Sequence, residues 1–267
     1  MAKLISIELY RNLNFKNSII IAGLILIPII YNIYRIDQFS LVNSLDLFSF
    51  NMSVFLPFLF PLLVVLIYAQ PFSNELSNNY ITYTRVRIDF KKYILIKLIS
   101  NSILVFLSFF VVVFIIFLFS YYIEPHLGFV NYEPENINLT TEGLLDYDIS
   151  MFTFTQLIKY STLLYGLTYS GWVALNAVLY SSMAMLATLL FRNTFVALSI
   201  PFLFYHIGSF IIAVLGFPMF LLDASIFPFN VEQQPIYIAF IPFLFVVGVT
   251  GSMFFRLLNN INNKRFD

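Results

Sequence analysis

Fourteen acidic side chains, fourteen basic ones and two histidines carry the charge chemistry of these 267 residues, and there is no cysteine. A disulfide framework, a thiolate metal site and a cysteine nucleophile are therefore excluded. His126 and His206 are too few for a histidine-rich metal centre. The chain has no Gly-x-x-x-x-Gly-Lys-Ser/Thr phosphate loop, so it cannot hold ATP in that way, and it has neither Gly-x-Ser-x-Gly nor His-Glu-x-x-His. The polar residues that do gather lie between Gln70 and Lys97. There Glu75 sits in a polar stretch, Ser73 to Tyr80, followed by the basic and aromatic Thr84-Arg85-Val86-Arg87 and Lys91-Lys92. Cations at such a place anchor a helix at lipid headgroups, whereas an acid there has no such use and points to a docking or gating contact.

What must position these groups is set by composition. Hydrophobic residues make up 60% and charged ones 10%, and mean hydropathy is +0.87. A soluble domain carries about a quarter charged residues. A disordered chain, a nucleic-acid binder and an ordinary cytosolic enzyme are thereby excluded. Charge-free stretches run from Asn17 to Tyr34, Leu47 to Asn74, Leu98 to Ile123, Tyr160 to Phe191, Asn193 to Leu222 and Gln233 to Phe255. Each charge at the centre of a span costs about 2.5–3.5 kcal/mol, so these stretches are the natural bilayer segments. The expected fold is a single all-α polytopic membrane domain over 1–267, with six transmembrane helices near 17–34, 50–71, 96–122, 164–190, 194–215 and 235–256.

Orientation follows from the cations. With the N-terminus inside, twelve of the fourteen basic residues fall in inner segments, leaving Arg35 and Lys159 outside. Ten of the fourteen acids fall outside, in loops such as 124–159, which holds Glu124, Glu133, Glu135, Glu142, Asp146 and Asp148. Both termini are thus expected in the cytoplasm, the first span is retained rather than cleaved, and no charge is expected between span ends.

The remaining segments yield finer expectations. Residues 1–16 read as a helix lying in the inner interface, with Ala2, Ile5, Leu9 and Leu13 as its apolar stripe and Glu8, Arg11 and Asn12 turned away. Met151 to Ile158 reads as a second interfacial helix. The hydrophobic, Pro- and Gly-broken stretch from Gly216 to Pro228 reads as re-entrant or surface-lying. Ser170, Ala174, Ala177, Ser181, Ala184 and Thr188 recur at helical spacing and form a small-residue face, suited equally to packing within the subunit and to a subunit interface. Asn176 is placed to hydrogen-bond across it. Trp172 and Tyr31, Tyr34, Tyr121 and Tyr122 read as an aromatic belt, and His206 as a histidine packed on a neighbouring helix. Asn51-Met-Ser53 and Asn138-Leu-Thr140 are sequons that arise easily by chance.

At Glu75 to Lys97 the chain resembles the permease subunits of type-2 ABC exporters. In that family an interfacial elbow helix precedes six spans with both ends inside. A glutamate follows span two, then a coupling helix, an Arg-containing segment and a lysine opening span three. Glu75, the Thr84–Arg87 stretch and Lys97 match that order, and the broken segment before span six is also similar. Where family members often carry Gly-Thr, this chain has Asn79-Tyr80. The resemblance implies a half-transporter whose partners are cytoplasmic ABC ATPase subunits and a second permease subunit, identical or related, with membrane lipid around it and no nucleic acid. It implies that Glu75, Tyr80, Arg85 and Arg87 form the ATPase-coupling interface, that ATP is bound by the partner subunit, and that this chain holds no cofactor or metal and catalyses nothing itself. A pathway lined by Phe, Tyr, Leu, Ser and Asn would suit a hydrophobic or amphiphilic substrate such as an antimicrobial peptide, moved outward across the cell membrane. The Ile-, Asn- and Phe-rich usage fits an AT-rich bacterial genome. Two other classes share the layout: a stand-alone membrane immunity or sensor protein, and a lipid-metabolic membrane enzyme, the latter disfavoured by the lack of a convergent polar cluster.

Overall fold

Long charge-free runs in a medium without water must satisfy their own amides, and helices do so within one segment. The computed structural model describes residues 2–12, 15–53, 55–78, 89–133 and 141–262. Among them there is no strand, only an isolated bridge between Leu41 and Tyr132. The helices are α1 (Ala2–Asn12), α2 (Phe15–Arg35), α3 (Ser44–Ser53), α4 (Leu56–Ile67), α5 (Ala69–Ser77), α6 (Phe90–Leu118), α7 (Thr141–Met151), α8 (Thr162–Leu190), α9 (Thr194–Val214) and α10 (Ile236–Asn262). Five are long and apolar enough to cross a membrane, namely α2, α6, α8, α9 and α10. The pair α3 and α4, bent by 59°, makes a sixth when counted as one span.

That bend corrects the continuous second span expected at 50–71. Pro57 lies in the first turn of α4 and has no amide to donate to Ser53, the last residue of α3, so the hydrogen-bond ladder is broken where the bend falls. The third span is longer than expected. It runs from Phe90 through a π-helical turn, Phe119–Ile123, and on to Leu127. Ser120 in that turn accepts from Asn51 Nδ2 at 3.3 Å, and Asn51 Oδ1 accepts from Asn32 Nδ2 at 3.0 Å, which ties α2, α3 and α6 together. Asn51 is thus buried and engaged, and its sequon is unreachable for glycosylation.

At the centre α8 packs along α6. Gly166 is required there: a Cβ at this position would lie 2.3–2.5 Å from three ring carbons of the fully buried Phe117. Phe48, Phe60, Phe109, Tyr165, Tyr169 and Tyr180 fill the rest of the core, mostly edge to face. One end of the bundle, called the near end, carries α1, α5, the start of α6 and the C-terminus of α10. The other, the far end, carries α3, α7 and the segment between α9 and α10.

At the far end the sequence expectations need two changes. The stretch 151–158 is no single helix: α7 ends at Met151 and a 3-10 turn, Thr155–Lys159, follows. The 215–231 segment folds back over the core as a cap built from two 3-10 turns, burying Leu222, Ile226 and Phe227. Gly208 of α9 leaves the notch for Leu222, whose Cδ1 would stand 2.7 Å from a Cβ there. Trp172 is no belt residue, since it is buried and its Nε1 donates to the Ser225 carbonyl of the cap at 2.8 Å.

Candidate functional site

The near end brings together Glu8 and Arg11 of α1, Glu75 of α5 and Lys97 of α6. Lys97 Nζ donates to Glu8 Oε1 at 2.7 Å and to Glu75 Oε2 at 2.5 Å. Arg11 Nη2 donates to both Glu8 oxygens, at 2.8 and 2.9 Å, and to Glu75 Oε1. Two acids and two bases thus form a closed ring without net charge, joining segments more than sixty residues apart. Tyr68 and Asn12 add neutral donors to Glu8 Oε1, at 3.1 and 2.9 Å.

Local sequence explains each placement. Tyr68, with non-helical backbone angles, ends α4 and starts the short α5, in which Phe72 and Ser73 are buried and Glu75 is half-buried. Asn17 donates to the orphan carbonyl of Ile67 at the end of α4, at 3.3 Å, and to Asn12 at 2.7 Å, which fixes α1 against that turn. Lys97 stands two turns into α6 and is only 2% exposed, with its ammonium over the rings of Tyr93 and Phe72 at 5.5 and 5.9 Å.

This arrangement reverses part of the expectation for α1. Glu8 and Asn12 face the protein, not solvent, while Arg11 at the rim is partly exposed. A stripe drawn from apolar residues alone misses this, because a buried carboxylate with matched cations is as well placed as a leucine. Burial by itself pushes the Glu8 carboxyl up. The Lys97 ammonium, then Arg11 and the Tyr68 hydroxyl, outweigh it and hold Glu8 below the usual carboxylate range.

Of the residues expected to form a coupling interface, Glu75 is therefore engaged inside the chain. Tyr80, Arg85 and Arg87 lie outside the described residues. Beside Glu75, a cleft of about 490 Å³ opens between the near ends of α5, α8, α9 and α10, lined by Leu76, Ser77, Thr188, Phe191, Arg192 and Asn260. The small-residue face on α8 lies inside the chain: Ser170, Ala174, Ala177, Ser181 and Ala184 are each fully buried. Ser181 donates to Asn101 Oδ1 of α6 at 2.5 Å, and Asn101 Nδ2 donates to Ser182 at 3.2 Å. Asn176 does not reach across that face and instead donates to Trp172 O of its own helix at 3.0 Å.

Tyr68 and Asn101 are not singled out by the sequence, and Glu8 is read there only as part of the polar face of α1. An acid three positions from a cation on a predicted amphipathic helix was the available signal for Glu8, and none existed for its partners sixty to ninety positions away. His206 lies on α9 against α4, its Nε2 donating to the Phe58 carbonyl at 3.0 Å. No group of three or more metal-ligating side chains occurs among the described residues. No family model, curated protein or solved structure matches this chain.

Chemically, the ring has no free nucleophile and no open coordination position. What it can do is transmit force. Three helices are locked together by charge-assisted bonds, so displacing α5 must move α1 and α6 or break the ring.

Proposed function

We propose that this chain is a permease subunit of the type-2 ABC exporter kind, moving a hydrophobic or amphiphilic substrate, a peptide in the first instance, outward across the cell membrane. In this reading six spans cross the bilayer, the near end and both termini face the cytoplasm, and α1 is the interfacial elbow. The Lys and Arg bias toward near-end segments supports that orientation. Energy comes from ATP hydrolysed by separate ATPase subunits, and a second permease copy or a related one completes the transporter.

The observation that carries the reading is the Glu8–Arg11–Glu75–Lys97 ring. A transporter without its own motor needs a stiff lever where the motor docks. Here α5, which leads directly into Tyr80, Arg85 and Arg87, is tied to the elbow and to the root of the third span. The cleft beside Leu76 and Ser77 adds a concave surface next to that lever. Movement of the docked ATPase would then reach the spans through bonds rather than through a slack loop.

Co-expression with an ATPase encoded beside this chain, followed by purification in mild detergent, tests the proposal. Stable recovery of the ATPase, lost on Arg85→Ala/Arg87→Ala while the permease stays monodisperse, is the expected result. Intact permease that never retains an ATPase overturns it, and the immunity or sensor reading then takes its place.

A further inference from the structure

Both α9 and α10 pack against α8, and a groove of about 460 Å³ opens between them. Its walls are apolar, with Ile200, Leu203, Phe204, Ile207 and Ile211 of α9 on one side and Phe245 of α10 on the other. The Phe204 and Phe245 rings stack with centroids 5.9 Å apart, which fixes the register of the two helices. From Ile200 to Ile211 the groove follows α9 for about 16 Å, at 1.5 Å per residue. One leaflet supplies half of a hydrocarbon core about 30 Å thick, or about 15 Å. The groove therefore has the length of one layer of acyl chain.

The same register places two cations above the groove. From Phe204 back to Thr194, the start of α9, is about 15 Å, and from Phe245 on to Arg256 is about 16.5 Å. Arg192, two residues before α9, and Arg256 thus stand at nearly one height at the near end. Three helical turns separate Phe245 from Arg256, so Arg256 is on the α10 face that carries Phe245 toward the groove. One turn further on, Asn260 lines the near-end cleft together with Arg192 and Thr194. Both arginines are exposed, and among the described residues neither has an ion pair or a hydrogen bond. Among the described residues no acid lines the cleft or the groove. Lys97 and Arg11, at the same end, are by contrast neutralised within the ring.

Charge and depth together identify the occupant. Ile200 lies about 9 Å below the start of α9, and a headgroup layer is about 5–7 Å thick, so the apolar walls begin where acyl chains begin. Two guanidinium groups at the upper end match a phosphate, which arginine holds by paired, charge-assisted bonds. We propose that the groove between α9 and α10 binds one phospholipid with a negatively charged headgroup, its phosphate held by Arg192 and Arg256 and an acyl chain lying along Ile200 to Ile211. The apolar walls alone would equally suit a helix of another subunit. The two unpaired cations at headgroup height favour the lipid, because an apolar helix brings them no counter-charge. The inference requires only that α9 and α10 cross a bilayer, and it does not depend on the transport reading.

Native mass spectrometry of the full chain tests it, with dioleoylphosphatidylglycerol or dioleoylphosphatidylcholine added in mild detergent. The wild type should retain one phosphatidylglycerol and release phosphatidylcholine. Arg192→Gln/Arg256→Gln should weaken phosphatidylglycerol binding roughly thirtyfold, about fivefold for each arginine lost. Lys91→Gln/Lys92→Gln removes the same charge from the exposed start of α6 and should leave binding unchanged. Leu203→Trp fills the groove and should abolish binding with both arginines in place. All these side chains are exposed, and an unshifted thermal midpoint without lipid confirms that each variant folds. Equal losses for the arginine and lysine pairs overturn the proposal in favour of general surface attraction. Undiminished binding by Leu203→Trp overturns it in favour of a site for the headgroup alone. A wild-type dimer that retains neither lipid also overturns it and assigns the groove to a second copy.

Discussion

The two ends of the bundle handle buried acids in opposite ways. At the near end Glu8 and Glu75 are neutralised by Lys97 and Arg11. At the far end neutral donors do the work. Glu124, fully buried, accepts from the Val130 amide at 2.8 Å and from the Tyr132 hydroxyl. Asp46 accepts from the Val42 amide at 2.9 Å, and Asp148 from Asn43 Nδ2 at 2.5 Å. Charge pairing is long-ranged and unforgiving of loss, and it ties distant helices into one unit. The donors to Glu124 and Asp46 come from four to eight residues away and shape that end locally, while Asn43 reaches Asp148 across 105 positions with a neutral bond. A near end built to transmit displacement and a far end built to fold back on itself would differ in this way.

The largest expected effect breaks the near end alone. Lys97→Met leaves two carboxylates facing one arginine in a buried place, where removing one partner of such a pair costs about 3–5 kcal/mol. Thermal unfolding in detergent should show this drop, whereas Lys91→Met on the exposed face of α6 should change little. Equal shifts for the two variants would remove the contrast between the ends. Adding Glu8→Gln to Lys97→Met should restore part of the loss, because one acid then matches one base.

Gly166→Ala comes next and asks whether the ends are mechanically joined. The added methyl would press on Phe117, at a cost of about 1–3 kcal/mol for overpacking, less the gain of alanine over glycine in a helix. Hydrogen exchange should then rise along α6 and α8 toward both ends. A change confined to the Gly166 neighbourhood would mean that the ends are independent.

The pH response sharpens the comparison by sign. Burial, aided by the Asp46 charge and opposed by the Asn43 bond, pushes Asp148 up to about 6. A carboxyl raised in the folded state gains protons before the unfolded chain does. The far end should therefore grow more stable as pH falls through about 6 toward the ordinary aspartate value near 4. Glu8 lies below the ordinary carboxylate range, so its contribution is complete above about pH 4.3 and is lost only on stronger acidification. Between pH 7 and 5, the protection factors of the α7 amides, corrected for the intrinsic pH dependence of exchange, should rise while those of α1 stay unchanged, and Asp148→Asn should abolish the α7 response.

The smallest effect lies between the ends. Asn101→Leu removes the bonds to Ser181 and Ser182, and such polar contacts between membrane helices average about 0.6 kcal/mol. A loss as large as that of Lys97→Met would mean that the polar clamp, and not the ion ring, holds the bundle.

The helices were legible in the sequence because each depends on neighbours along the chain: an uninterrupted apolar run makes a helix, whereas the bend at Pro57 within the second span was not read there. Glu75 could be singled out as an acid without a topological use. Its partners could not, since Arg11 and Lys97 meet it only after three helices pack. The α8 small-residue face was equally visible, but which surface it meets was settled by Phe117 against Gly166 and by Asn101 against Ser181. Asp223 marks the limit most sharply. Counted along the chain it ends an apolar run, yet the cap folds back and carries it level with Ser209 of α9, whose Oγ accepts from its amide at 3.2 Å. Hydropathy measures what a segment would tolerate, and only tertiary packing decides the depth at which a broken segment comes to rest.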